Sequence, residues 1–465
     1  MKNRTALVKA AGVRIELHSF RLNNFIKASL HYLAMGRVAH DVGKVYAAMS
    51  QASREGARDW FETSDAARYF RRAGNELFLN DDLYFGSEPT LFDPDLRVAF
   101  SNLRADTSLH VPVDAELLGF FGRLLPQLRA SVPLSTTLDS LDKDERTFVE
   151  QLKEAGFLEE APLRSAPPRR DFALRLLGHA GLSLETPSAR VLFDPLMLVR
   201  DQPEVNLLDE LCAGVDAIVI SHPHWDHFNF DTLLHVPRNT VMIVPALNHP
   251  PSLENIDMAA LLRQLGFRDV RTLSPWESTQ VGEACITATP FYGEQSGPDV
   301  PQDWMTYHVS AGGRAFFGAV DACHNSHASM DSVMRRVHES LPQVDALFAP
   351  YSGFHYPIAM FTRRPFYMGP GMEQYSGGPD DAVRWCSLLG AAFLVPYAGF
   401  VWTPRDYERP EDRTHRGSLR RLRSMVKAAP RGPLLVLEPR ERALFWSEGG
   451  PLQVPQSLDQ VGVGA

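Results

Sequence analysis

Cysteine is scarce in this chain of 465 residues: there are four, Cys212, Cys285, Cys323 and Cys386, with no C-x-x-C spacing. That scatter excludes a disulfide framework and a thiolate metal site, and it suits a reducing compartment. Surplus positive charge is also missing. With 47 Lys and Arg against 56 Asp and Glu, the net charge is -9. No basic stripe is left to neutralise a phosphate backbone and no zinc-finger or RNP-like pattern occurs, so nucleic acid is set aside as a partner. Long apolar runs are lacking too. The most apolar stretches, residues 217–220 (AIVI) and 389–395 (LGAAFLV), are far shorter than the roughly 20 residues that span a bilayer. The opening MKNRTALVKAAG is basic but has no sustained apolar run of the signal-peptide kind. The expectation is a cytoplasmic protein without a membrane partner.

What is present is ordinary globular text, 44% hydrophobic and 22% charged. Single cores stop growing at roughly 250 to 300 residues, so at least two domains are expected. Residues 15–80 are rich in helix formers, with apolar residues at helical spacing in 25–32 and 66–78, and region 1–84 reads as helical. Region 85–163 reads as a small α+β unit, winged-helix-like: a strand at 96–101, helical text at 114–128, then helix, turn and helix over 135–160, with Gly156 as a C-cap. It is read as a recognition module for a peptide or carrier protein, or as a helical packing unit that pairs two copies of the chain. APLRSAPPRR, 161–170, has a linker's composition. Beyond it, over 170–450, short β-rich runs (173–177, 190–193, 217–220, 241–244, 285–289, 315–318, 346–349, 392–395) alternate with helical or loop segments, as in a layered α/β domain.

The chemistry concentrates after one of these runs. VDAIVI, 215–220, reads as a buried strand and leads into SHPHWDHFN, 221–229. A loop at a strand's carboxyl end lets His222, His224, Asp226 and His227 converge on one point. Neutral imidazoles suit zinc, iron and other divalent transition metals, while the carboxylate shifts preference toward harder ions. Three histidines and an aspartate at these offsets form a specific metal-binding pattern.

On this motif, residues 171–405 resemble the metallo-β-lactamase superfamily, which implies an αββα sandwich preceded by the N-terminal α+β region. LRLLGHAGLSLETPSARVLFDPL, 174–196, resembles the opening hairpin of the superfamily's phospholipase-D-like and lactonase-like branches. By that resemblance Asp194 orients a ligand histidine. His179 reads equally as a polar residue near the site and as a structural histidine. The resemblance also places three downstream positions. Glu294 (in PFYGEQSG) stands where a third-ligand histidine is usual, and Asp321 (in AVDACHNSH) is the bridging carboxylate. Tyr397 (in PYAGF) stands where the last histidine usually lies. His324, His355, His327 and a Tyr397 phenolate are the candidates to complete the ligand set, His324 first.

A glutamate in place of a histidine makes the site harder and more anionic, favouring iron or manganese over zinc. In this it resembles the metallo-β-lactamase-fold di-iron β-hydroxylase of chloramphenicol biosynthesis, an oxygenase that acts on a carrier-bound aminoacyl group and carries a large N-terminal domain. The resemblance implies two irons and O2 as co-substrate: His222, His224 and Glu294 on one metal, Asp226 and His227 on the other, Asp321 between them. Asp226, Glu294 and Tyr397 are the catalytic candidates, and the substrate is a small or carrier-protein-bound metabolite. The competing expectation is a hydrolase of phosphodiesterase or lactonase type, with zinc or manganese activating water. Aromatics in the same loops (Trp225, Phe228, Phe291, Tyr292, Tyr351, Phe354) read either as pocket walls or as loop packing.

Overall fold

The computed structural model describes residues 5–11, 13–18, 96–102, 104–129, 131–163, 171–196, 214–224, 226–249, 255–294, 302–324, 328–353, 355–357, 372–374, 376–398, 416–429, 435–436 and 443–447. The helices expected at 25–32 and 66–78 lie outside these residues, as do Trp225, Phe354 and His327.

Two seven-stranded mixed sheets form the centre of the metal domain. The first runs in space Val270–Leu273, Val241–Pro245, Ala217–Val219, Arg190–Phe193, Gly181–Glu185, Phe172–Gly178, Ala443–Ser447. The second runs Ser278–Val281, Ala284–Pro290, Met305–Ala311, Arg314–Gly318, Ala346–Ala349, Phe393–Pro396, Leu435–Val436. Each has an antiparallel half built from hairpins and a parallel half reached through crossovers. The strands are rich in Val, Ile, Leu and Phe because both faces are covered.

Side-chain alternation sorts the first sheet's residues between two cores. Val191 and Phe193, Ala217 and Val219, and Ile243 face the second sheet, in a core that continues to the helices Met330–Ser340 and Pro379–Leu389. Leu192, Ile218, Ile220, Met242 and Val244 face the other way, toward the helices Phe230–Leu234 and Met258–Gln264 and on into the N-terminal region. The layers are thus helix, sheet, sheet, helix, the αββα sandwich. Among the described residues no helix is long and apolar enough to cross a membrane.

The N-terminal region combines a three-stranded antiparallel sheet (Val13–His18, Arg97–Asn102, Thr107–Pro112) with the pair Thr5–Lys9 and Leu158–Pro162. The helices Ala115–Leu124, Leu134–Asp139 and Lys143–Glu154 accompany them. Two expectations are corrected. Residues 15–18, read as the start of helical text, form a strand. The division at 84/85 also does not separate what is described, because strands from the first 18 residues pair with strands from 97–162. Those partners are too distant in sequence for local periodicity to reveal. A local signal fared better: Gly156, read as a C-cap, turns the chain at φ 75° after the helix Lys143–Glu154, whose start Asp142 and Glu145 close with a reciprocal capping box.

Candidate metal centre

The proposed ligands gather at one rim of the sandwich because each follows a strand there. Asp194 follows Arg190–Phe193, the SHPHWDHFN loop follows Ala217–Val219, Glu294 follows Ala284–Pro290 and Asp321 follows Arg314–Gly318. His179 lies in the turn between Phe172–Gly178 and Gly181–Glu185.

Two groups of donor atoms result. His222 Nε2, His224 Nδ1 and Glu294 Oε2 form the first, with separations of 3.1 Å between the imidazoles and 3.4 and 3.0 Å from each to the carboxylate. Metal bonds of about 2.1 Å hold neighbouring donors about 3.0 Å apart around an octahedral ion, so this triad fits a transition-metal ion. His179, His227 and Asp321 form the second group. There His227 Nε2 lies 2.8 Å from Asp321 Oδ2 and 3.3 Å from His179 Nε2. Asp226 borders this group, its Oδ2 3.2 Å from His179 Nε2 and its Oδ1 4.0 Å from His227 Nε2. The His222 and His227 rings, 4.0 Å apart by centroids, join the two groups.

A buried hydrogen-bond chain orients the imidazoles. The Ser221 hydroxyl donates to Asp194 Oδ2 at 2.7 Å, so its lone pair accepts from His222 Nδ1 at 2.8 Å. His227 Nδ1 donates to Asp194 Oδ2 at 3.1 Å. In both histidines Nδ1 is thereby engaged and Nε2 is turned into the cluster, the arrangement that fixes the tautomer of a metal ligand.

Protonation follows from the same contacts. Burial, reinforced by the neighbouring imidazoles, holds His222 well below its usual pKa, and burial takes His224 down to about 4. Burial also opposes charge on His227, but Asp194, Asp226 and Asp321 outweigh it and push this imidazole well above its usual value. Burial would raise Asp226, yet the hydrogen bond from His179 and the nearby imidazoles hold its carboxyl well below the ordinary carboxylate range. Positive charge is thus favoured on His227, among three carboxylates, which is where a cation would belong.

The backbone is strained at the same place. Among the described residues seven non-glycine residues have positive φ, and five of them are His179 (47°), Asp194 (40°), Glu294 (48°), Val320 (51°) and Ala398 (51°). Each costs on the order of 1–3 kcal/mol unless surrounding contacts enforce it. Those contacts are present: Val320 N–H donates to the Tyr397 hydroxyl at 2.8 Å and Ala398 N–H to the His179 carbonyl at 3.1 Å.

Two sequence-based assignments are corrected. His324 does not join either group; its ring lies against Asp381, Arg384 and the Ser329 hydroxyl at 3.2, 2.6 and 3.0 Å, beside the helix Pro379–Leu389. Tyr397 is fully buried, and its hydroxyl accepts from the backbone ahead of Asp321 rather than facing the donor cluster as a catalytic group. Burial, with Asp194 and Asp321 nearby, raises this phenol well above its usual pKa, which opposes a phenolate. His355 lies in the short strand His355–Pro357. The Cys323 thiol is buried and hydrogen-bonded to the His324 and Gln374 carbonyls, and burial raises its pKa far above the reactive range. The aromatics divide: Phe228 enters the core shared with the N-terminal region, whereas Phe291 packs 5.5 Å from the His222 ring. Trp304 was not anticipated, since nothing local marks it in PQDWM. It lies 4.8 Å from both the His222 and His224 rings. Trp304 and Pro223 also line an adjoining cavity of about 290 Å³.

Residues 189–397 match the family described as Beta-lactamase superfamily domain. An uncharacterised protein of Mycobacterium tuberculosis is 30% identical over 304 residues, 59% of this chain and 74% of that protein. The chain belongs to the metallo-β-lactamase superfamily. Within the superfamily it is 26% identical, over 195 residues, to the 4-amino-L-phenylalanyl-(CmlP-peptidyl-carrier-protein) 3-hydroxylase of Streptomyces venezuelae. That match spans 41% of this chain and 35% of the hydroxylase's length. The crystal structure of CmlA, a diiron β-hydroxylase from Streptomyces venezuelae, superposes with a TM-score of 0.52 at 18% identity, covering 85% of this chain and 90% of that one. The likeness of fold therefore extends well beyond the superfamily domain into the N-terminal region.

Proposed function

We propose that this chain is a dinuclear non-haem iron oxygenase of hydroxylase type that uses O2 and acts on a small or carrier-protein-bound metabolite. Glu294 is the observation that carries this reading. Its carboxylate completes a triad with His222 and His224 at the position where the superfamily usually has a neutral histidine, and an anionic oxygen there favours iron or manganese over zinc. The sequence likeness to a hydroxylase of carrier-bound 4-amino-L-phenylalanine supports the same reaction class. Bound iron would supply the redox chemistry that activates O2.

The chain's own residues supply position and exclusion. Asp194 and Ser221 fix the imidazoles, while Trp304 and Phe291 cover the His222 side and keep water from it.

The test is the metal content and optical spectrum of protein purified without added metal, followed by O2 consumption with carrier-bound aminoacyl substrates. About two irons per chain, with near-ultraviolet charge-transfer bands that bleach on reduction, is the expected result. Zinc or manganese without such bands would overturn it in favour of the hydrolase, in which the same residues would hold metal-activated water.

A further inference from the structure

We propose that His179 is the ligand that completes the second metal position, replacing the histidine that position 397 lacks. The inference rests on the dinuclear reading and deepens it.

Three observations carry it. His179 is buried, at 6% exposure, and its Nε2 lies 3.3 Å from His227 Nε2, within a group whose donor atoms, with Asp321, are all within 4.8 Å of one another. The same Nε2 lies 3.2 Å from Asp226 Oδ2, and the His179 and His227 rings meet in a T-shaped arrangement with centroids 5.0 Å apart, so one nitrogen of His179 faces an imidazole nitrogen and a carboxylate oxygen at once, as donors around one ion do. His179 is also held at φ 47°, a conformation that L-residues rarely adopt without a reason.

The third observation explains why position 397 can do without a histidine. Tyr397 and Ala398 leave the strand Phe393–Pro396 and tie down two loops at once. The Tyr397 hydroxyl accepts from Val320 N–H, immediately before Asp321, and Ala398 N–H donates to the His179 carbonyl. This segment has exchanged a ligand's role for a clamp on the loops that carry the second position's carboxylate and imidazole. His179, arriving from the opening hairpin on the other sheet, takes over the donated nitrogen.

Titration of metal-free full-length protein with Co(II) tests this, with the bound metal counted and its visible spectrum followed. Wild type is expected to take up two equivalents. His179→Ala should leave the first unchanged and weaken the second by more than about a hundredfold, beyond the roughly 10–100-fold that losing an outer hydrogen-bond partner costs. In His179→Cys the second equivalent should bring a near-ultraviolet thiolate-to-cobalt band, which a residue outside the coordination sphere would not produce; this variant decides the matter if His179→Ala does not fold. Two equivalents in His179→Ala with affinities within tenfold of wild type would overturn the assignment and leave the dinuclear reading standing. So would loss of the second equivalent in Tyr397→Phe but not in His179→Ala. Wild type that takes up one equivalent or none would overturn both.

Discussion

The carboxylate of Asp194 receives three hydrogen bonds: from Ser221 N–H at 2.8 Å, from the Ser221 hydroxyl at 2.7 Å and from His227 Nδ1 at 3.1 Å. It is fully buried and held at positive φ, so it has no freedom to serve as an ordinary surface acid. Asp194→Asn keeps the shape but cannot accept all three protons, and a loss of about 10–100-fold in affinity is expected at the His227 position. The same contact sets a pH dependence. His227 is raised well above its usual pKa, so in metal-free protein at neutral pH it carries a proton that an incoming ion must displace. Affinity at this position should therefore rise with pH, approaching tenfold per unit below the raised pKa. The imidazoles of the first triad should show no such dependence near neutrality, since His222 is lowered and His224 stands at about 4. Calorimetric titrations at pH 6, 7 and 8 would separate the two; equal slopes would rule out this account of His227. Asp194, Glu294 and Asp321 were legible because each closes a short β-rich run and fits a known motif order. His179 could not be resolved from sequence, since its role depends on a loop of the opposite sheet, and Trp304 carried no local signal.

At the scale of elements, the short helix Phe230–Leu234 connects the site to the rest of the molecule. It begins three residues after His227 and is capped by Asn229, whose side chain accepts from Thr232 N–H. Its Asp231 accepts Leu17 N–H at 2.7 Å, from the edge of the N-terminal sheet. Asp231→Ala removes the acceptor of a part-buried backbone donor, at a cost of about 1–3 kcal/mol. The expected outcome is a lower melting temperature together with weaker metal binding, measured by thermal unfolding with and without Co(II). Weaker folding with unaltered metal affinity would show that this contact does not reach the loop. The β-rich runs that were read in the metal domain match strands to within about a residue, 190–193 and 346–349 coinciding with Arg190–Phe193 and Ala346–Ala349, whereas Val270–Leu273, Ser278–Val281 and Met305–Ala311 were not read. Dense β-branched and aromatic runs ending at Gly, Pro or Asp leave little room for error. Val13–His18 carries the strand period in its own text, with Val13, Ile15 and Leu17 buried and Arg14 and Glu16 between them, but it was read together with the helix-forming residues that follow, and only its pairing with Arg97–Asn102 separates it from them.

Across the whole molecule, the N-terminal region and the metal domain share one core. Leu7, Ile15, Leu17, Phe100 and Phe121 belong to the same buried cluster as Phe228, Phe230, Leu233 and Leu234, which directly follow the metal loop. Arg238 lies across this joint: its guanidinium donates to the Leu233 and Val236 carbonyls, and a Cβ on Gly122 would meet its Nε at 2.7 Å. Returning one large apolar side chain to water costs about 1.5–3 kcal/mol. Uncovering three or four is therefore comparable with the total stability of an ordinary domain, about 5–15 kcal/mol. A chain beginning at residue 164 should accordingly be insoluble, or melt well below the full chain and fail to hold two metals, as solubility, thermal unfolding and metal counting would show. If that truncated chain instead stays soluble and binds both ions with full-length affinity, the N-terminal region is an attached module, free to serve only a partner or a second copy. The shared core argues the opposite. The segment that presents His222, His224, Asp226 and His227 is held from one side by the sheet it leaves and from the other, through Phe228 and the helix Phe230–Leu234, by the N-terminal region.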